Sequence, residues 1–237
     1  MYRPVKPLLS AGELIGCLKA EAKEENRAGM VRFGIPADKA LGVPKPAIRA
    51  IARQTRKDHA LALELWKAGI LEARILASLV AEPAKVTRAQ MEDWVCDFDS
   101  WDICDQVCGN LFDRVAAAEE AIRDWHMDER EFVRRAAFST IAWRAVHQKK
   151  LPDETFLAYL PMIEAASNDS RNFVRKAVNW ALRQIGKRNL RLHVAALDVS
   201  RKLAASTGKT ASWIGRDAVK ELENGRLIER LQSREAR

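Results

Sequence analysis

Apolar residues recur at three- and four-residue intervals along nearly the whole chain, and no stretch alternates convincingly with period two. That spacing predicts helices, roughly ten to twelve of them joined by short turns. Start signals agree. "SAGE" at Ser10–Glu13 and "TRAQ" at Thr87–Gln90 have the S/T-x-x-E/Q form of a capping box and open apolar-periodic runs. Pro36, Pro44, Pro46, Pro83, Pro152 and Pro161 fall near expected helix starts or connections. One helix breaks the usual partition. In "DSRNFVRKAVNWALRQIGKRN", Val174, Ala177, Val178, Ala181 and Ile185 share one side when the segment is wound at about 100° per residue. The other side carries Asn172, Lys176, Asn179, Arg183 and Lys187, with Trp180 in their midst. A large flat ring on a cationic face needs a partner other than the core.

The periodic segments also repeat. "FVRRAA" begins at Phe132 and "FVRKAV" at Phe173, 41 residues later, and one more period reaches Arg216, which opens "RDAV". A period of this length is that of two- or three-helix solenoid repeats. "LEARILASLV", Leu71–Val80, reads as a diverged further copy. The expected fold is all-α: a HEAT-like helical-repeat solenoid forming a single domain over 1–237, with a concave basic groove and a frayed C-terminal tail over 224–237. Arg134, Arg175 and Arg216 recur at equivalent positions and are expected to bridge neighbouring repeats. Arg135 then corresponds to Lys176 and to the cationic face. Stacked helix pairs present successive second helices on a concave surface, where Lys176, Trp180, Arg183 and Lys187 would cradle a phosphate backbone. The plainer reading is a solvated basic face with an incidentally exposed indole.

Charge sharpens this picture more than overall composition does. The 237 residues are 48% apolar and 30% charged, which is ordinary for a folded soluble chain and argues against disorder. Forty Lys and Arg against 32 Asp and Glu give +8, favouring an anionic partner without choosing one. From Asp169 to Arg191 there are seven cationic residues and one acidic; from Met91 to Asp113 there are seven acidic residues and no Lys or Arg. No apolar run reaches the roughly 18 residues of a membrane span. "MYRPVKPLLSAGELIG" lacks a signal-peptide core and cleavage site, so a cytoplasmic location is expected, without membrane association. Cys17, Cys96, Cys104 and Cys108 show no zinc spacing and are read as buried reduced thiols. His59, His126, His147 and His193 lack i,i+4 pairing, and Trp66, Trp94, Trp125, Trp143 and Trp213 are read as packing between repeats. "STGKTA" at Ser206–Ala211 lacks the earlier glycine and strand of a phosphate-binding loop.

A second unusual stretch is "FDSWDICDQVC", Phe98–Cys108. Ser100 is placed to cap a helix whose first turn carries Asp102 at the positive end of the dipole. Trp101 and Asp105, four apart, share a face beside the stripe of Ile103, Cys104, Val107 and Leu111. Three readings compete. Asp105 is a surface acid and Trp101 a packing residue; or Asp97, Asp99, Asp102 and Asp105 hold Mg²⁺ in a nuclease; or indoles and a carboxylate line a site for a cationic group.

"SWDICD", "FVRRAAF" and "VRKAVNWALRQIGK", in that order, resemble the motifs of the DNA alkylation repair family, the AlkD-like DNA glycosylases built from HEAT-like repeats. "RFGIPADKALGVPKPAIRAIAR" and "ELWKAGILEARILA" resemble its N-terminal half, so the likeness runs from about Glu21 to Leu222. The resemblance implies hydrolysis of the N-glycosidic bond of cationic N3- or N7-alkylated purines in duplex DNA, by a monomer without metal or cofactor, associated with the nucleoid when bound. It implies Trp101, Asp105 and Trp180 as active-site residues and Arg135, with the adjacent Arg134 as the alternative, as a phosphate contact near the lesion. Lys176, Arg183, Lys187 and Arg188 would add salt-dependent affinity without sequence preference. An alkylated base is already a cation and a good leaving group, so one carboxylate suffices where ordinary glycosidases need two. The alternative is a non-catalytic HEAT-repeat module that binds DNA or scaffolds proteins.

Overall fold

The computed structural model describes residues 9–235, and among them every regular element is a helix. Packing divides the chain at Ala116/Ala117 into two compact units. The first contains α1 (Ala11–Ala20), α2 (Glu24–Met30), α3 (Lys45–Gln54), α4 (His59–Lys67), α5 (Leu71–Val80), α6 (Arg88–Cys96) and α7 (Trp101–Asn110). The second contains α8 (Ala118–Trp125), α9 (Glu131–His147), α10 (Asp153–Leu157), α11 (Leu160–Ala166), α12 (Asn172–Gly186), α13 (Leu190–Ala204), α14 (Lys209–Leu222) and α15 (Gly225–Glu235). The described residues thus hold more α-helices than periodicity predicts. The surplus comes from α2, α10 and α11, whose 5 to 7 residues are too short to show a period.

In the first unit α5 is the central element. It buries Leu71, Ala73, Ile75, Leu76, Ala77 and Val80 and packs against α3, α4 and α7. It also buries a carboxylate. Glu72 is 0% exposed and accepts the backbone N–H groups of Leu41 at 2.9 Å, Gly42 at 2.8 Å and Val43 at 3.2 Å. Gly42 has φ +76°, and a Cβ there would lie 2.2 Å from the Lys23 carbonyl oxygen, so only glycine fits this loop. The Ser10 capping box forms as expected, with Glu13 returning its bond to the Ser10 amide. Thr87 caps α6 through the Gln90 amide. Ser100 occupies the N-cap position of α7, but its buried hydroxyl makes no capping bond.

The second unit carries the repeat, and the structure extends it. Asp128 accepts the Arg130 amide at 2.7 Å and its Nε at 3.0 Å; 41 residues on, Asp169 accepts the Arg171 amide and Nε, each at 3.0 Å. The same Asp-x-Arg clasp therefore precedes α9 and α12. These two helices lie side by side with the Phe132 and Phe173 rings 5.5 Å apart. Arg134 bridges forward to Asp169 at 2.8 Å and donates to the Met127 carbonyl, and the Arg175 guanidinium lies 5.0 Å from the Trp213 ring. Arg216 departs from the expectation: it is exposed on α14, the last of the three repeated helices. The expected frayed tail is also corrected. Residues Gly225–Glu235 form α15, anchored by Leu227 and Leu231, which are four apart and buried on one face. Ala236 and Arg237, the end of that tail, lie outside the described residues, as do residues 1–8.

Asp169 makes the repeat junction sensitive to pH. Burial by itself would raise its carboxyl, but hydrogen bonds from Arg171 and Arg134 outweigh burial and hold it at about 2, against an ordinary 3.8. A depressed carboxylate stabilises the fold above its unfolded pKa, and that contribution is lost as pH falls through the folded value. Asp169→Asn is expected to cost about 2 kcal/mol at neutral pH. The gap from the parent protein should narrow between about pH 4 and 2, as read by urea midpoints across that range. A gap independent of pH would show that the charge is not what the junction uses.

Candidate active site

Trp101 is the first residue of α7, and its indole Nε1 donates to the Phe33 carbonyl at 2.8 Å. That bond fixes the ring's orientation while leaving the ring half-exposed. The ring lines an open, apolar-walled cleft of about 360 Å³ with Met30, Phe33, Ile35, Val43 and Pro44. Phe33 is 66% exposed at its edge. The loop held by Glu72 supplies Gly42 and Val43 to the cleft, so a carboxylate buried in α5 shapes the surroundings of the indole. Asp105 follows one helical turn after Trp101 and is half-exposed.

The other acids of this segment are committed elsewhere. Asp102 is buried and paired with Lys45 at 2.5 Å. Asp97 accepts the Trp66 indole N–H and an Arg74 N–H, both at 2.8 Å. The reading in which Asp97, Asp99, Asp102 and Asp105 hold Mg²⁺ is not supported: two of the four are held by donors of the protein, and no group of three or more His, Cys, Asp or Glu is gathered for a metal among the described residues. Cys104 and Cys108 are buried in the core as expected, whereas Cys17 and Cys96 are exposed. Trp66 and Trp94 stack at 3.9 Å and are buried, as packing residues should be.

In the second unit Trp180 is half-exposed on α12. The Trp143 ring meets it edge-on, 5.3 Å away at 84°, and the Gln184 side-chain oxygen, turned toward it, accepts its N–H at 3.1 Å. Trp143 stacks in turn on exposed His147 at 4.8 Å. Trp143 packs between repeats as expected, on α9 against Trp180 of α12, and the two form part of a half-exposed aromatic row. The spacing Trp143-x₃-His147 at i,i+4 is the signal that was available.

The cationic face of α12 is less free than its sequence suggests. Lys176 is exposed. Arg183 pairs with Glu221 and, at 3.7 Å, with Asp217; Lys187 pairs with Glu221 at 2.6 Å. Burial would raise the Glu221 carboxyl, yet the Lys187 hydrogen bond and the Arg183 charge overcome it and keep it below its ordinary range. Asn179, expected on the solvent side, is buried and donates to Asp217 at 2.7 Å. Arg188 departs furthest from expectation. Its guanidinium donates to the carbonyls of Ala145, Gln148 and Leu151 and covers the Phe156 ring at 3.9 Å, so it closes the C-terminal end of α9. Arg135 is only 6% exposed and donates to the Phe173 carbonyl at 2.5 Å, tying α9 to α12. Neither arginine projects from the surface as a long solvated cation.

A family model described as DNA alkylation repair enzyme matches residues 14–222. The chain belongs to that family. No curated protein matches it. Among solved structures, the chain is similar to one from a family described as new, related to the HEAT-like repeat DNA glycosylases and with affinity for branched DNA structures. The TM-score is 0.77 at 19% identity, over 92% of this chain and 96% of the other. A designed armadillo repeat protein aligns at 14% identity over 90% of this chain and 100% of its own, with a TM-score of 0.42. The first likeness gives this DNA alkylation repair family member its fold class, all-α with HEAT-like helical repeats. Family membership supports a role in DNA repair.

Proposed function

We propose that the protein excises alkylated purines from duplex DNA by hydrolysing the N-glycosidic bond. The observation that carries this reading is Trp101: a half-exposed indole locked by the Phe33 carbonyl, one helical turn from Asp105. A ring so held needs no reorganisation to receive a cationic nucleotide, and a cation over an indole gains about 0.5–2 kcal/mol. Within the second unit, Trp180, steadied by Trp143, is likewise a half-exposed indole. As the bond between C1′ and the base nitrogen breaks, its electron pair neutralises the cationic base, and positive charge moves onto the sugar. Asp105 stabilises that oxocarbenium-like sugar and orients the water whose oxygen bonds to C1′; the proton this water sheds passes to solvent. The products are a neutral base and an abasic site.

Among the expected phosphate contacts, Lys176 is the exposed one, and Arg183 and Lys187 remain half-exposed donors although each is paired. Lys176→Ala is expected to weaken duplex binding and to lower the slope of log affinity against log salt by about 1. Arg183→Ala should change the slope less, since Glu221 already offsets its charge. Fluorescence anisotropy over a salt series measures both, and an unchanged slope for Lys176→Ala would remove it from the interface. Arg135 is assigned a positioning role through the α9–α12 junction. The excision reading is tested with duplex DNA carrying N7-methylguanine, by measuring free base and alkali-labile sites. Release above the uncatalysed rate supports it. Binding without release supports a second reading, recognition of DNA without chemistry, which the branched-DNA affinity of the similar structure favours.

A further inference from the structure

An open cavity of about 530 Å³ lies in the second unit where the ends of α9, α12 and α14 meet α15. Lys149, Lys187, Arg226, Arg230 and Arg234 line it, and among the described residues Glu221 is the one acid in its wall. That acid is already bound by Lys187 and Arg183. The cavity therefore gathers positive charge that its own wall does not neutralise. Lys149 feels this: burial, followed by the charges of Arg188 and Arg234, holds its ammonium below the usual lysine range. A folded chain keeps such a cluster at a cost in repulsion, and a bound anion reverses that cost.

The shape of the cluster restricts the anion. Arg226, Arg230 and Arg234 stand at i, i+4 and i+8 on one face of α15, while Leu227 and Leu231 hold the helix to the body of the unit. Each four-residue step rises about 6 Å, so the guanidiniums extend over about 12 Å. A single phosphate fills one end of such a row. A strand whose charges advance about 3.4 Å per nucleotide along a duplex presents several phosphates over that length. Arginine forks also suit phosphate oxygens better than lysine does. The cavity adjoins Trp180 directly: Gln184 lines it, and with its amide turned so that the oxygen faces them it accepts the Trp180 N–H and the Lys187 ammonium, each at 3.1 Å.

The geometry points to a second nucleic-acid site: the α15 cavity takes consecutive backbone phosphates of the DNA strand that continues past Trp180. This rests on the DNA-binding part of the reading above, and not on excision. It adds three residues, Arg226, Arg230 and Arg234, that lie beyond the family match at 14–222.

The test compares the full chain with Arg226→Ala/Arg230→Ala/Arg234→Ala and with the corresponding triple Lys variant, using anisotropy of a labelled duplex of about 20 base pairs over a salt series. All three arginines are exposed and mutually repelling, so the Ala variant is expected to melt no lower than the parent. The Ala variant should bind at least about tenfold more weakly at physiological salt, with its salt slope reduced by about 2 to 3. The Lys variant should keep most of the slope. Parent and Ala variant binding duplex with equal affinity and slope would overturn the α15 site while leaving the DNA reading intact. A parent protein that binds no duplex at all would overturn both. Two competitors separate the sources of negative charge. Inorganic tripolyphosphate or an oligoglutamate peptide that binds the parent as tightly as duplex does, and is lost in the Ala variant, would assign the cavity to that ligand and overturn the strand assignment.

Discussion

Asp105→Asn is expected to slow base release from N7-methylguanine duplex by about a hundredfold or more under single-turnover conditions, while duplex affinity changes little. The amide has nearly the shape of the carboxylate but no charge. Charge is what the sugar demands as the base departs, so the loss falls on the transition state and not on the bound ground state. On the proposed excision reading the departing purine carries its own positive charge and needs no acid, which would make this single carboxylate the largest electrostatic contribution on the reacting side. Asp102, three residues earlier, provides the contrast. It is buried against Lys45, and its replacement should act on stability first. If Asp105→Asn, with an unchanged melting curve, loses binding and turnover in equal proportion, the residue is a binding group and the mechanism fails.

Glu72→Ala is expected to be the most destabilising of the changes considered, by about 3 kcal/mol or more. Its carboxylate is fully buried and receives three consecutive backbone amides, at Leu41, Gly42 and Val43. Removing it strands the Gly42 and Val43 donors away from water and leaves the part-buried Leu41 donor without its acceptor. Gly42 cannot relax easily, since its positive φ and its close approach to Lys23 already restrict the loop. Glu72→Gln should be milder: one oxygen still accepts Gly42 and Val43, while the new NH₂ faces the Leu41 amide. Denaturant unfolding gives the magnitudes, and hydrogen exchange at residues 41–43 gives the location. The loop carries Gly42 and Val43 into the Trp101 cleft, so faster exchange there should accompany weaker base release in Glu72→Gln. Normal stability and slow exchange in Glu72→Ala would mean that other groups hold the loop.

The two largest departures from expectation share a cause. Arg188 stands in cation-rich sequence, and Arg135 corresponds to Lys176 and to a family phosphate contact, so both are expected to meet phosphate. The folded chain gives Arg188 three carbonyls at the end of α9 and gives Arg135 the Phe173 carbonyl. A long basic side chain is counted as charge in sequence, but it is used for whatever acceptor lies within reach. The carbonyls that Arg188 takes are free ones at the C-terminal end of α9, which are strong acceptors, whereas Arg135 takes a carbonyl in the first turn of α12. The relevant carbonyls lie about 40 positions away along the chain, and no local pattern announces them. For the same reason Glu221, on α14, claims Arg183 and Lys187 of α12.

Local periodicity, capping residues and the 41-residue echo were enough to establish helices, their repetition and the presence of "SWDICD" and "VRKAVNWALRQIGK" on two of them. These are short-range properties, set by 3.6-residue geometry and by side chains within one turn of each other. Pairing was beyond their reach. That Phe33 holds the Trp101 indole, that Trp143 meets Trp180, that Glu72 gathers the 41–43 loop and that α15 closes a cationic cavity all depend on residues 20 to 90 positions apart. Such contacts arise when helices pack, because packing brings distant donors, acceptors and rings within reach and excludes water from the rest.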